Sequence, residues 1–205
     1  FEGPVYATNK EKISLLGITT VKGLHEIPNG EVDFAMICVP SHAVPQTLIE
    51  AAKIGVKAAF IVSGGYSEMG KDGEKAEIEL LNLSKELGIA ISGPNGQGFV
   101  STPSKLCSQI VAPFPPEGKI AIASQSGNLL SSFMNLSRHY GIGISRGISI
   151  GNQSCLRASD YVNYFSEDPE TKVIVLYLEG IPDGRNLFQA IKHATKTKPV
   201  VVIRG

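Results

Sequence analysis

Along this chain, unbroken apolar runs alternate with stretches in which apolar residues recur every three or four positions. Residues 34–39 (Phe-Ala-Met-Ile-Cys-Val) form a continuous apolar run, the pattern of a strand buried on both faces. Val44, Leu48 and Ala52 then repeat with helical spacing, and residues 58–62 give the next strand. Ala76, Leu80, Leu83 and Leu87 mark a second helix that Gly88 is placed to end, and a short third strand follows over 89–91. The stretch from there to Gly118 is irregular, with Pro103, Pro113, Pro115 and Pro116, and its proline-rich end reads as a domain junction. The pattern restarts at Lys119. Strands are predicted over 119–123, 147–150, 173–178 and 200–203. Between them lie the helical stripes Leu129/Phe133/Leu136/Tyr140, Tyr161/Val162/Phe165 and Leu187/Ile191/Ala194. Repeated strand–helix–strand units predict an α/β fold of two Rossmann-like or flavodoxin-like parallel-sheet units, each a three-layer αβα arrangement, over residues 1–116 and 117–205.

Composition narrows the function classes. The formal net charge is zero and no run of Lys or Arg stands out, which argues against an extended nucleic-acid or anionic-membrane surface. No stretch of 18 apolar residues is present and no leader pattern opens the chain. Three cysteines, Cys38, Cys107 and Cys155, are too far apart for a metal site, and so sparse a count fits a reducing, cytoplasmic setting. Cys38, inside its apolar run, is expected to be a small buried hydrophobe. Phe1 looks like entry into an internal strand and Gly205 follows one directly, so the chain is expected to be a piece of a longer protein.

In open parallel sheets ligands sit beyond the carboxyl ends of the strands, so candidate chemistry is sought there. Val39-Pro40-Ser41-His42 follows the first strand, with Ser41 or His42 as a possible helix cap and Pro40 turning the chain into a pocket wall. Ser63-Gly64-Gly65 follows the second, where adjacent glycines let backbone approach a ligand closely. Gly93-Pro94-Asn95-Gly96 follows the third; its glycine spacing is not the dinucleotide fingerprint. In the second half, Ser124-Gln125-Ser126-Gly127-Asn128 joins a strand to a helix. Ser126 is a good cap, and the small residues leave the first helical N–H groups open to an anion. The same segment lacks both glycines of a serine-hydrolase elbow. Asn152 follows the next strand. Glu179 ends six apolar residues, where a partly desolvated carboxylate of raised pKa is expected.

Together these residues resemble a known family, the NDP-forming acyl-CoA synthetases, which include ADP-forming acetyl-CoA synthetase and, more distantly, the succinyl-CoA synthetase α subunit. The resemblance rests on Val5-Tyr6 with Asn9, Val39-Pro40, Gly55-Val56-Lys57, Ser63-Gly64-Gly65 with Glu68 and Gly70, Gly93-Pro94-Asn95, Ser124-Gln125-Ser126-Gly127, Gly151-Asn152, Asp160, Asp168-Pro169 and Tyr177-Leu178-Glu179-Gly180. It implies a CoA-binding domain followed by a ligase domain. Coenzyme A would be met by Asn9, Val39, Pro40, Ser41, Ser63, Gly64, Gly65, Pro94 and Asn95, and phosphate by Ser126, Gly127, Asn128 and Asn152. Glu179 would orient a phosphohistidine. The implied reaction converts acyl-CoA, NDP and phosphate to acid, CoA and NTP through an acyl phosphate. The nucleotide (ATP/ADP) and Mg2+ would sit on an ATP-grasp domain or subunit outside this chain, in a homo- or hetero-oligomer. The phosphorylated histidine of the family lies beyond the last strand, and none of His25, His42, His139 or His193 matches it. Protein acetyltransferases with a ligase-like half carry similar domains, so a CoA-binding regulatory module without ligase activity is the alternative.

Overall fold

The computed structural model describes residues 1–110 and 113–205, which fall into two compact units, Glu2–Ile91 and Ser92–Gly205 together with Phe1. The two packing units meet in sequence at 91/92, and the expected domain junction at 116/117 falls within the second of them. Val111 and Ala112, inside the proline-rich stretch, lie outside the described residues.

The smaller unit opens with a hairpin of β1 (Ser14–Leu15) and β2 (Ile18–Thr19), turned through Leu16 and Gly17, both at positive φ. A three-stranded sheet follows, ordered β3 (Phe34–Ile37), β4 (Ala58–Ile61), β5 (Ala90–Ser92). Helices α1 (Val44–Lys53) and α2 (Lys71–Leu87) connect the strands. β3 and β4 are parallel. Gly88 ends α2 in the left-handed conformation, φ 66°, as its position in the apolar pattern predicts. The core gathers Ile27, Ala51, Ile54 and Val56. β3 departs from expectation. It is an edge strand in which only Ile37 is fully buried, and Cys38 is exposed rather than packed away. An apolar run reports affinity for burial, whereas the number of covered faces depends on which neighbours arrive.

The larger unit holds a six-stranded sheet. Its strands are β6 (Gly98–Ser101), β7 (Leu106–Gln109), β8 (Glu117–Ser124), β9 (Ile144–Ser149), β10 (Val173–Leu178) and β11 (Val200–Arg204), in the order β11-β10-β8-β9-β6-β7. β8, β9, β10 and β11 are parallel. β6 and β7 form a hairpin that adds antiparallel to β9, so the sheet is mixed and the stretch expected to be irregular contains two strands. Helix α3 (Gly127–Tyr140) covers one face, where Leu130 and Met134 pack on Ile122, Ile144 and Val100. Helices α4 (Ala158–Glu167) and α5 (Gly184–Ala194) cover the other, packing Val162, Phe165, Leu187 and Ala190 on Ala121, Ala123, Ile174 and Leu176. This is the three-layer αβα arrangement. At the foot of the sheet the buried Lys198 donates two 2.7 Å bonds to the carbonyls of Phe165 and Asp168, closing the C-terminal end of α4. Among the described residues no helix is long and apolar enough to cross a membrane.

Candidate functional site

In the smaller unit the loops beyond β3 and β4 are stitched together. The Ser63 hydroxyl donates to the Val39 carbonyl. Gly65, at φ 103°, lies so close to Ser41 that a Cβ there would stand 2.7 Å from its Oγ. Ser41 and His42 do not cap α1. They belong to a 3-10 turn, Ser41–Ala43, and the helix has no side-chain cap. Beyond Gly65 the chain turns inward: Glu68 accepts from the N–H groups of Gly65 and Tyr66, and Glu77 from that of Ser67. Gly73 admits the Tyr66 carbonyl against the first turn of α2, where a Cβ would come within 1.7 Å. The Tyr66 side chain is buried, its hydroxyl has no partner, and burial followed by the nearby Glu68 and Glu77 pushes its pKa up to about 12. These N–H groups are committed to carboxylates. What the loops offer a ligand is close backbone approach at the glycines and the rims at Val39, Pro40, Ser41 and Ser63. Asn9 pairs its N–H with Val21, and its side chain accepts from Glu11 N, folding its own segment.

Pro94 and Asn95 fold with the larger unit. The Pro94 carbonyl accepts from Asn152 N at 3.0 Å, the Gly93 carbonyl from Ser154 N at 3.3 Å, and the Asn95 amide donates to Asn152 Oδ1 at 3.3 Å. Only a glycine fits at 151: it has φ 56°, and a Cβ would meet the Pro94 oxygen at 2.0 Å. Asn95 and Asn152, assigned to different ligands from the sequence, are thus direct partners.

The first turn of α3 is built as expected. Ser126 caps it, its hydroxyl accepting from Leu129 N at 3.3 Å, and Ser124 Oγ donates to the Ser126 carbonyl at 2.7 Å. Two residues not singled out in the sequence belong here. Gln97 lies across the turn: its amide donates to Asn128 Oδ1 at 3.0 Å and accepts from Ser131 Oγ at 3.2 Å, while its side chain fills the space a Cβ on Gly127 would need. Ser149, at the end of β9 opposite Ser124, is fully buried with its hydroxyl unpartnered. Strand alternation places it on the α3 side with Gly147, whose added Cβ would meet Met134 and Leu130. A buried hydroxyl without a partner beside open helical N–H groups suits an oxyanion.

Glu179 follows β10, neighbour of β8, on the same edge of the sheet. Its side chain is exposed, so the desolvation expected from the apolar strand is not found: the strand buries its own side chains, not the residue beyond its end. Its backbone is held. Gln125 Oε1 accepts from Glu179 N at 2.9 Å and Gly180 N at 3.0 Å. On the α4–α5 side, Arg157 pairs with Asp183 at 3.5 Å, and Asp183 caps α5 through Asn186 N.

Comparison with known proteins gives two family models in series. A CoA binding domain matches residues 2–102, and a succinyl-CoA ligase like flavodoxin domain matches residues 117–205. The chain is 38% identical over 203 residues to the acetate–CoA ligase (ADP-forming) II subunit alpha of Pyrococcus furiosus, covering 99% of this chain and 44% of that protein. It is 35% identical over 205 residues to acetate–CoA ligase (ADP-forming) I of Archaeoglobus fulgidus, covering 100% of this chain and 30% of that one. Among solved structures it is similar to the dinucleotide forming acetyl-coenzyme A synthetase 1 of Ca. Korarchaeum cryptofilum, solved with phosphate and ADP, with TM-score 0.93 and 34% identity over 100% of this chain and 44% of that one. The chain thus spans less than half the length of these relatives.

Proposed function

Because the chain belongs to the family of NDP-forming acyl-CoA synthetases, carrying their CoA-binding and ligase domains, we propose that it is the CoA- and phosphate-handling part of such a ligase. The observation that carries this reading is the single sheet edge shared by a capped helix N-terminus, the buried unpartnered Ser149 hydroxyl and the Glu179 carboxylate. The whole protein would interconvert acyl-CoA, NDP and phosphate with acid, CoA and NTP.

In the proposed chemistry a phosphate oxygen attacks the thioester carbonyl, the C–S bond breaks, and CoA leaves as the thiol while an acyl phosphate remains. A histidine outside this chain then attacks phosphorus and releases the carboxylic acid as its anion. The N–H groups at Gly127 and Asn128, the Ser126 cap and the Ser149 hydroxyl would hold the phosphoryl oxygens, where fixed donors and the helix dipole favour negative charge. Asn152, bound to Asn95, would add a polar contact. Glu179 would accept from the imidazole N–H, fixing the ring and offsetting the positive charge that grows on it. An exposed carboxylate suits this role, because it must meet a group delivered by another part of the protein. In the smaller unit Val39, Pro40, Ser41, Ser63, Gly64 and Gly65 would line the CoA contact, with Asn9 shaping the segment before them. Pro94 and Asn95 are proposed as CoA contacts made by the larger unit's own loop. Nucleotide and Mg2+ are assigned to an ATP-grasp module, in a cytoplasmic assembly.

The test uses the full-length ligase. Glu179→Gln should leave CoA affinity within about twofold while histidine phosphorylation falls roughly 100- to 1,000-fold, the usual effect of losing one preorganised polar contact. Near-parental phosphorylation in that variant would remove Glu179 from the mechanism. CoA binding without any histidine phosphorylation in the parent itself would favour the regulatory-module alternative.

A further inference from the structure

The exposed Glu179 side chain raises the question of what fixes its direction. Its own carboxylate makes no hydrogen bond among the described residues, so the constraint comes through its backbone. That constraint converges on one atom. Gln125 Oε1 accepts from Glu179 N at 2.9 Å, from Gly180 N at 3.0 Å and from Gln153 Nε2 at 3.2 Å. The backbone of Gln125 is tied to the same strand, its N–H donating to the Tyr177 carbonyl at 2.9 Å.

Gln153 is the second member. It is 3% exposed and held at φ 59°, a conformation a non-glycine residue adopts only when its surroundings enforce it. Its amide also reaches the Gly180 carbonyl at 3.4 Å, and its Oε1 accepts from Ala158 N, at the start of α4, at 3.0 Å. The 179–180 peptide is thereby clamped between the turn that opens α3 and the first turn of α4. The first of these turns carries the Ser126 cap of the proposed phosphate site.

We propose that Gln125, supported by Gln153, is a positioning residue for Glu179, holding its peptide so that the carboxylate meets the incoming imidazole. This rests on the reading of Glu179 given above. A glutamine suits the task because its neutral carbonyl satisfies several N–H donors without placing a second negative charge beside the carboxylate. A misplacement of about 1 Å at a reacting group can cost roughly 100-fold in rate, so the clamp has a kinetic consequence even though Gln125 touches no reacting atom.

The test is a double-mutant comparison in the full-length ligase, reading histidine phosphorylation, CoA affinity by calorimetry and thermal midpoint. Gln125→Met keeps the length of the side chain and removes the acceptor. It should slow phosphorylation on the order of 10- to 100-fold with CoA affinity within about twofold. Combined with Glu179→Gln, it should be no slower than Glu179→Gln alone within about twofold, since a residue that acts through another adds nothing once that other is gone. Multiplying penalties, or a Gln125→Met enzyme as fast as the parent, would overturn the proposal. If Gln125→Met does not fold, Gln153→Met, which removes the Gln153 bonds to Gln125 Oε1 and to the Gly180 carbonyl, should slow phosphorylation with the same lack of additivity toward Glu179→Gln, and an enzyme as fast as the parent would overturn the proposal. Full activity in Glu179→Gln alone would instead refute the role of Glu179 on which the proposal depends.

Discussion

Replacing Gly151 with alanine tests whether the loops after β5 and β9 form one closely packed unit. The added Cβ would stand 2.0 Å from the Pro94 oxygen, where contacts below 3.0 Å are not tolerated, so the oxygen must retreat by at least about 1 Å. Such a shift breaks the bond from Asn152 N and strains that from Ser154 N, now 3.0 and 3.3 Å. Each contributes about 0.5–1.5 kcal/mol. Holding alanine at φ 56° adds about 1 kcal/mol. The expected loss is about 2–4 kcal/mol. Gly141 supplies the control. It also has positive φ, 67°, but nothing lies within 4 Å of its Cβ position. Gly141→Ala should therefore cost only the conformational part, about 1 kcal/mol. Urea denaturation of both variants, compared at unchanged slope, separates the two contributions. A Gly151→Ala variant no less stable than Gly141→Ala would refute the close approach of Pro94 to Gly151, and with it the pairing of Asn95 with Asn152.

Two further predictions concern buried polar groups. Tyr66→Phe removes a buried hydroxyl that has no partner, so stability at neutral pH should be unchanged or slightly higher. With the phenol pKa raised from 10.0 to about 12, mainly by burial, the folded state favours the neutral form. Its contribution is complete below pH 10 and is lost as pH rises through about 12. That contribution is at most about 2–3 kcal/mol, and denaturation midpoints between pH 9 and 12 should fall less steeply in the phenylalanine variant. An identical alkaline slope would contradict the burial. Lys198→Met removes both bonds that close α4 and should cost roughly 2–3 kcal/mol, read as a lowered thermal midpoint; an unchanged midpoint would show that the ammonium offsets no more than its own desolvation.

Much of this architecture is legible in the residue pattern, for local reasons. Six consecutive apolar residues mark β10 over the span at which it forms, and Ser126 and Gly88 act as cap and stop because each serves its own neighbours in sequence. The hairpin of β6 and β7 escapes notice because its strands have four residues each and mix Ser, Cys and Gln with apolar positions. The exposure of Cys38 follows from β3 lying at a sheet edge, which no property of residues 34–39 specifies. At the candidate site, Ser126, Gly127, Asn128 and Glu179 are proposed from their places at strand ends. Gln97, Gln125, Ser149 and Gln153 are not, since their importance comes from reaching residues 31, 54, 25 and 28 positions away in sequence, or from being buried without a partner. A long polar side chain carries no periodic signature.

The placement of β6 and β7 in the larger sheet has a consequence for how the chain acquires its structure during synthesis. The hairpin is made early and can close on itself, but the strand it must join, β9, emerges some forty residues later, after β8 and α3. Until then its free edge has no partner, and the larger unit cannot be completed in the order in which it is translated. A protein started after the proline-rich stretch would never receive that hairpin. Its β9 would be left with an open edge of unpaired N–H and C=O groups, the surface through which incomplete sheets pair with one another.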